Sequence, residues 1–285
     1  MEKGETTLSV AARVLGFTRQ AFYKWLARPV SHTEAEEQEI LESIRRIHNE
    51  DPEFGYRFIS DELHAQGIHV SEKRVWRICN KYKIFSVTCK KKGGKKKGRP
   101  GPAVADDLIQ RHFHADTINQ VWLVDITEHS TREGKLYMCA FKDVCSRKIV
   151  GWAVGTRMDA FLVLRALHDA MTRRGYPRGV IIHSDRGSQF RARSFQHALT
   201  SYRAYQSMGR VASAGDNAAM ESFFSLLQKN VLNRKTWETR AELSAAITHW
   251  IEATYHRKRR QRALGKLTPI EFETIHNNHA ALKAA

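Results

Sequence analysis

The sequence predicts an α/β chain in which a mixed sheet flanked by helices follows two all-helical units. Three observations lead there. A lysine-, glycine- and proline-rich stretch at residues 89–102 divides the 285 residues into two parts of different pattern. The first part repeats apolar residues at helical spacing. The second opens with three short β-rich runs in quick succession and then alternates helix and strand.

In the first part, residues 8–28 (LSVAARVLGFTRQAFYKWLAR) place Val10, Val14 and Leu15 at helical spacing before a Gly16-Phe17 break, after which Thr18 can cap a second helix. That helix would carry Arg19, Gln20 and Lys24. A helix, a tight glycine turn and a second helix make a helix-turn-helix pattern over residues 1–33. The segment alone fits a small packing hairpin equally well, and the basic charge of the chain tips it toward DNA. Residues 34–88 read as a second helical DNA-binding unit. Ile40, Leu41, Ile44 and Ile47 set the apolar face of one helix over 34–49, a second spans 58–65, and Ser71 caps a third over 72–82 bearing Lys73, Arg74 and Arg77. The plainer alternative is that these cations only solvate a helix face.

Beyond the linker, VWLVDI (121–126), LYMCAFKDV (136–144) and KIVGWAV (148–154) read as three strands, the first two joined by the turn Arg132-Glu133-Gly134-Lys135. A helix over 159–174, a strand over 179–183, a helix over 188–202, a strand over 204–208 and a helix over 217–230 follow. The order βββαβαβα is that of the ribonuclease H architecture, and it assigns residues 103–256 to such a core. Residues 257–285 are left as a basic C-terminal tail.

Charge points to the partner. Lys and Arg number 47 against 30 Asp and Glu, a net charge of +17. Twelve cations stand in two acid-free runs: Lys90, Lys91, Lys92, Lys95, Lys96, Lys97 and Arg99 in the linker, and Arg257, Lys258, Arg259, Arg260 and Arg262 near the C-terminus. The remainder carries only +5, so the excess is a footprint for a polyanion rather than a general aid to solubility. No apolar run approaches the ~18 residues of a membrane span, and the N-terminus lacks a signal peptide's apolar core, so a soluble, intracellular protein is expected. Cys79, Cys89, Cys139 and Cys145 form no CxxC pair and read as thiols in a reducing compartment. His64, His69, Cys79 and Cys89 have spacings that fit no zinc module.

Three acids occupy chemically telling places. Asp125 stands inside the first apolar strand, Asp185 just after the fourth and Glu221 inside the late helix. A carboxylate in an otherwise buried strand is costly unless paired or metal-bound. Any one of the three reads best as a cap or ion-pair partner. Together, in this element order, they make an oxygen-rich site suited to Mg²⁺, with Mn²⁺ as a substitute. Two such ions ~3.5 to 4 Å apart would serve an in-line phosphoryl displacement without a covalent nucleophile.

With 35 residues between Asp185 and Glu221, the sequence resembles the OrfB-type transposases of the bacterial insertion sequence three family, whose catalytic core is similar to retroviral integrases. The stretches that carry the resemblance are VWLVDIT, FKDVCSRKIVGW, HSDRGSQF, GDNAAMESFFSLL and YHRKRRQRALGKLTPIEFE, with GYRFISDEL and SEKRVWRI upstream. It spans nearly the whole chain, and HSDRGSQ with DNAAMESFF at this spacing is highly specific. The resemblance implies that Asp125, Asp185 and Glu221 are the catalytic triad and metal ligands of a Mg²⁺-dependent polynucleotidyl transferase. The implied reaction is cleavage and joining of DNA at the ends of a mobile element, a 3′-hydroxyl attacking a phosphodiester directly. It further implies a homo-oligomer on double-stranded DNA in the bacterial cytoplasm, associated with the nucleoid. The active species would be this chain or a frameshifted fusion with an upstream partner.

Beside the triad, His183 and Gln189 flank Asp185, and Asn217 lies four residues before Glu221 on the same helix face. Each reads as a supporting group or as a cap or packing residue. The family carries a lysine seven residues after the triad glutamate, aimed at DNA; here Gln228 stands there and Lys229 follows, ~100° around the helix. The loop VASAG before Asp216 lacks the family's usual asparagine and aromatic residues. Two readings compete with transposition: a non-catalytic DNA-binding or repressor protein derived from a transposase, and a nuclease acting on RNA hybrids.

Overall fold

The computed structural model describes residues 8–29, 31–87, 102–110, 112–209 and 218–284. The linker cations from Lys90 to Arg99, and Asn217, lie outside them. The chain divides into two compact units, Met1–Ser86 and Val87–Ala285.

In the first unit, α1 (Leu8–Leu15) ends at Gly16, whose φ of +73° is the left-handed conformation that stops a helix. Thr18 then caps α2 (Arg19–Leu26), accepting from the Ala21 amide at 3.1 Å. The pair forms as its spacing predicts, but its apolar face stays open. Val14 and Leu15 are exposed, and α2 buries no residue. Next, α3 (His32–Glu50) starts two residues before the expected position because Ser31 and Glu34 make a reciprocal capping box. Then α4 (Tyr56–Ala65) and α5 (Glu72–Lys81, capped by Ser71) close a core of Ile40, Leu41, Ile44, Ile47, Ile59, Leu63, Val75 and Ile78. The apolar periodicity read from the sequence is this core.

The second unit is built on a five-stranded sheet of order β3-β2-β1-β4-β5. Its strands are β1 (Val121–Thr131), β2 (Gly134–Asp143), β3 (Ile149–Gly155), β4 (Ile181–Ser184) and β5 (Tyr205–Met208). The first three form an antiparallel meander, and β4 and β5 add parallel to β1. Strand β1 outruns its apolar segment by five residues, because the polar stretch to Thr131 still pairs with β2 down to Thr131↔Gly134. Alternate residues face opposite ways. Trp122, Val124 and Phe141 pack against α6 (Ala160–Arg173) and α7 (Arg193–Ser201). Val121, Leu123 and Ala140 pack against α8 (Ala218–Leu227) and α9 (Arg240–His249). This three-layer sheet with its helices is the ribonuclease H-like architecture.

At one contact the first of these interfaces permits no side chain. A Cβ on Gly151 of β3 would fall on the backbone N and Cα of Ala170 in α6. Relief would require strand and helix to separate, so Gly151→Ala is expected to cost ~3 kcal/mol, the upper part of the overpacking range, and to lower the denaturant midpoint at unchanged slope. A midpoint within error of the wild type would show that the two elements can part freely.

The segment that follows the basic run, expected as a tail, is folded. Gln261 bridges Leu267 in an antiparallel pair, and α10 (Pro269–Ala284) follows. Glu273 on α10 accepts from Arg174 at 2.8 Å and from Lys148 at 3.0 Å, tying the helix to the sheet. Within the run itself Arg259 is buried and Arg260 pairs with Glu271 at 2.7 Å, so their side chains serve the fold. Arg257, Lys258 and Arg262 are exposed.

Candidate active site

The parallel register places two of the three acids. The last pair between β1 and β4 is Leu123↔His183. Two residues further along each chain stand Asp125, still within β1, and Asp185, the first residue after β4. Both acids therefore stand the same number of residues beyond the last pair of neighbouring parallel strands. Asp125 shares the face of Leu123, the side covered by α8. It is half-buried, and its Oδ1 accepts from the Ile126 amide at 2.8 Å.

A turn built by the HSDRGSQF sequence presents Asp185. Its Oδ1 accepts from the Gly187 amide at 2.9 Å, an Asx-type turn that carries the chain off the strand. A Cβ on Gly187 would stand 3.0 Å from that oxygen and 2.7 Å from Oε1 of Gln189. A side chain there would have to displace the Gln189 amide and crowd the carboxylate. The next residue fixes the turn to the sheet, as Arg186 Nε donates to the Gly209 carbonyl at 2.8 Å. Because this turn occupies residues 185–192, α7 starts at Arg193 rather than at 188.

His183 lies beneath Asp185, 2% exposed, with Nδ1 2.9 Å from Ser207 Oγ and its ring edge-on to Phe113. It is positioned to support the strand end from within the core. Glu221 stands exposed in the first turn of α8, which Met220, Phe223 and Leu227 hold against the face that carries Asp125. Among the described residues, no three His, Cys, Asp or Glu side chains are gathered as one metal-binding group. The structure thus brings Asp125 and Asp185 just beyond the last pair of neighbouring parallel strands, and sets Glu221 on the helix over the same face, without closing the three acids into a cluster.

The donor set suits a hard divalent cation. It is all oxygen, partly solvent-facing, and hinged on a glycine cradle that a side chain would fill. Among the described residues the thiols offer no rival chemistry, since burial pushes Cys139 well above the usual thiol range and lifts Cys79 and Cys145 to about 11; Cys89 lies outside those residues. They stay protonated and are poor nucleophiles.

The DNA-binding residues named from the sequence fall into two groups. Arg19, Gln20, Lys24, Lys73 and Arg77 are exposed on α2 and α5. Arg74 instead reaches back to Glu36 on α3 at 2.8 Å, bracing the unit. Trp76, which the sequence reading passed over, is 48% exposed beside Arg77. Lys229 lies half-buried in a π-helical turn, Gln228–Leu232, where the wider winding no longer follows the 100° step of an α-helix.

Sequence reasoning also missed Lys142. Its signal was present, because Leu136, Met138, Ala140 and Lys142 alternate along β2 and a lysine at the end of an inward-facing row is out of place. The side chain is 5% exposed, and Nζ donates to the Ala219 carbonyl at 2.9 Å.

Comparisons with known proteins show which families the sequence matches. The Integrase core domain family matches residues 115–214, a second Integrase core domain family matches 202–269, and an HTH-like domain family matches 35–93. The transposase for insertion sequence element IS904 of Lactococcus lactis subsp. lactis is 36% identical over 244 residues, 83% of this chain and 94% of the relative. Transposase InsF for insertion sequence IS3A of Escherichia coli is 31% identical over 278 residues, 96% of each chain. Among solved structures, the HTLV-2 integrase catalytic core domain in complex with magnesium gives a TM-score of 0.45 at 18% identity, over 56% of this chain and 99% of that one. Matched along almost its entire length by transposases of this kind, the chain belongs to the insertion sequence three family.

Proposed function

We propose that the chain is a DNA transposase that cleaves and joins strands at the ends of a bacterial insertion sequence, with Asp125, Asp185 and Glu221 as its catalytic triad. The observation that carries this reading is that Asp125 and Asp185 each follow by two residues the last parallel pair of β1 and β4, Leu123 and His183, with the helix bearing Glu221 across the same sheet face. One or two Mg²⁺ ions held by these carboxylates, or Mn²⁺ in their place, would activate the attacking oxygen and stabilise the leaving oxygen of an in-line displacement. The protein's own groups position the carboxylates. The Gly187 amide holds Asp185 at the strand end, and His183 stiffens the strand below it.

The exposed Arg19, Gln20, Lys24, Lys73 and Arg77 have the reach and donors to read base edges in a major groove. The linker lysines with Arg99, and Arg257, Lys258, Arg262 and Lys229, supply contacts to phosphates, which position the duplex without reading it. On this reading the chain works as a homo-oligomer on paired DNA ends in the cytoplasm. Among the described residues no helix is long and apolar enough to cross a membrane.

A labelled element end incubated with the protein and Mn²⁺ should be cut at the element boundary and joined to a second duplex, while an RNA·DNA hybrid is left intact. Binding without cutting would favour the non-catalytic protein. Cutting of the hybrid alone would make it a nuclease of another class.

A further inference from the structure

Lys142 is an expensive residue in its position. Its amine is buried between the sheet and α8, among the apolar side chains of the core that holds Leu123, Ala140, Met220 and Phe223. A methionine or leucine would fill the same volume without burying a polar nitrogen. The register explains where the amine goes. Lys142 stands opposite Leu123 on β1, and its strand neighbour Ala140 stands opposite Asp125, so the lysine rises from the same face a short step from the aspartate. From there Nζ spans to the carbonyl of Ala219 in the first turn of α8.

That carbonyl is two residues before Glu221. A first helical turn frays most readily, because its amides lack partners within the helix. The apolar contacts of Met220, Phe223 and Leu227 fix the helix body to the sheet, and the bond from Lys142 fixes the turn that carries the glutamate. With helix phase set at Ala219, Glu221 follows ~200° around the axis, and its direction is determined. We propose, resting on the catalytic reading above, that Lys142 is a positioning residue that anchors the first turn of α8 and thereby sets the Glu221 carboxylate over Asp125 and Asp185.

The electrostatics are consistent with a tether rather than an ion pair. A full positive charge is disfavoured at a helix N-terminus. Burial, with the charge of Arg147 adding to it, pushes the Lys142 amine down to about 7. A neutral amine donates to a carbonyl as an ammonium does, so the anchor does not depend on its charge.

The test is direct binding of Mn²⁺ to the full chain, read from the electron paramagnetic resonance of the free ion, with denaturant midpoints and DNA affinity measured in parallel. Lys142→Met should leave the midpoint equal or higher and DNA affinity unchanged, and should weaken Mn²⁺ binding ~10- to 100-fold, the usual loss when a group orienting a metal ligand is removed. In a Glu221→Gln background the same substitution should have no further effect on Mn²⁺, since the lysine acts through the glutamate. A lowered midpoint with unchanged Mn²⁺ binding would make Lys142 a core residue only and overturn the proposal. Asp185→Asn separates the two levels of inference. If it weakens Mn²⁺ binding and Lys142→Met does not, only the lysine's role falls; if neither does, the site reading falls and the proposal with it. Should Lys142→Met not fold, Lys142→Leu serves as the second variant, since the same face already holds Leu123 and Leu136.

Discussion

Asp185→Asn is expected to lower strand cleavage by more than ~10²-fold while leaving affinity for DNA near that of the wild type. The magnitude follows from the charge removed. A single group that stabilises transition-state charge contributes ~10²- to 10³-fold to a rate, and a carboxylate that also holds the metal contributes at least as much. The substitution preserves shape. Asparagine retains an oxygen in place of Oδ1, so the bond from the Gly187 amide survives, and Arg186 still fixes the turn to Gly209. Loss of activity would then report chemistry rather than a collapsed loop. DNA affinity should hold because the cations assigned to it lie on other elements, with Arg19, Lys73 and Arg77 in a separate compact unit. Cleavage and binding measured on the same labelled end decide the matter. Cleavage within tenfold of the wild type would remove Asp185 from the site, and a parallel fall in both would mean that it organises the DNA-binding surface instead.

The sheet was legible in the sequence wherever burial set the pattern. VWLVDI, LYMCAFKDV, KIVGWAV and GVIIH declared four of the five strands because apolar side chains must leave water. Boundaries governed by hydrogen bonds were not legible in the same way. The polar end of β1 pairs with β2 without any apolar signature, and α3 starts early through the Ser31–Glu34 capping box. Element order and resemblance joined Asp125 to Asp185 in the sequence, but the parallel register of β1 and β4 that precedes them was not legible, because spacing along the chain says nothing of register. Side chains that serve neighbours rather than substrate were the hardest to read. Arg74, Arg259 and Arg260 look like phosphate contacts in a list of cations, yet Glu36 claims the first, burial the second and Glu271 the third. Lys142 hid in the opposite direction, as a charged residue that looked incidental and proved to be buried.

A fragment beginning near residue 103 is expected to keep its fold and metal-dependent cleavage but to lose its preference for the element's ends by ~10³-fold, the lower part of the gap between specific and non-specific binding. The fold should survive because both cores around the sheet are built entirely from residues of the second unit, starting at Ala105. Preference should vanish because base edges are discriminated by ~1 to 3 kcal/mol per good bidentate contact, and the exposed Arg19, Gln20, Lys24, Lys73 and Arg77 that could make such contacts are all removed. What remains are cations such as Arg257, Lys258 and Arg262, whose phosphate contacts bind every sequence alike. Competition between an element end and random duplex at fixed salt measures the ratio directly, and a matching fragment of residues 1–88 should retain it. If the shortened chain still selects the ends as well as the full one, recognition resides in the catalytic unit, and the helical units serve only to hold DNA.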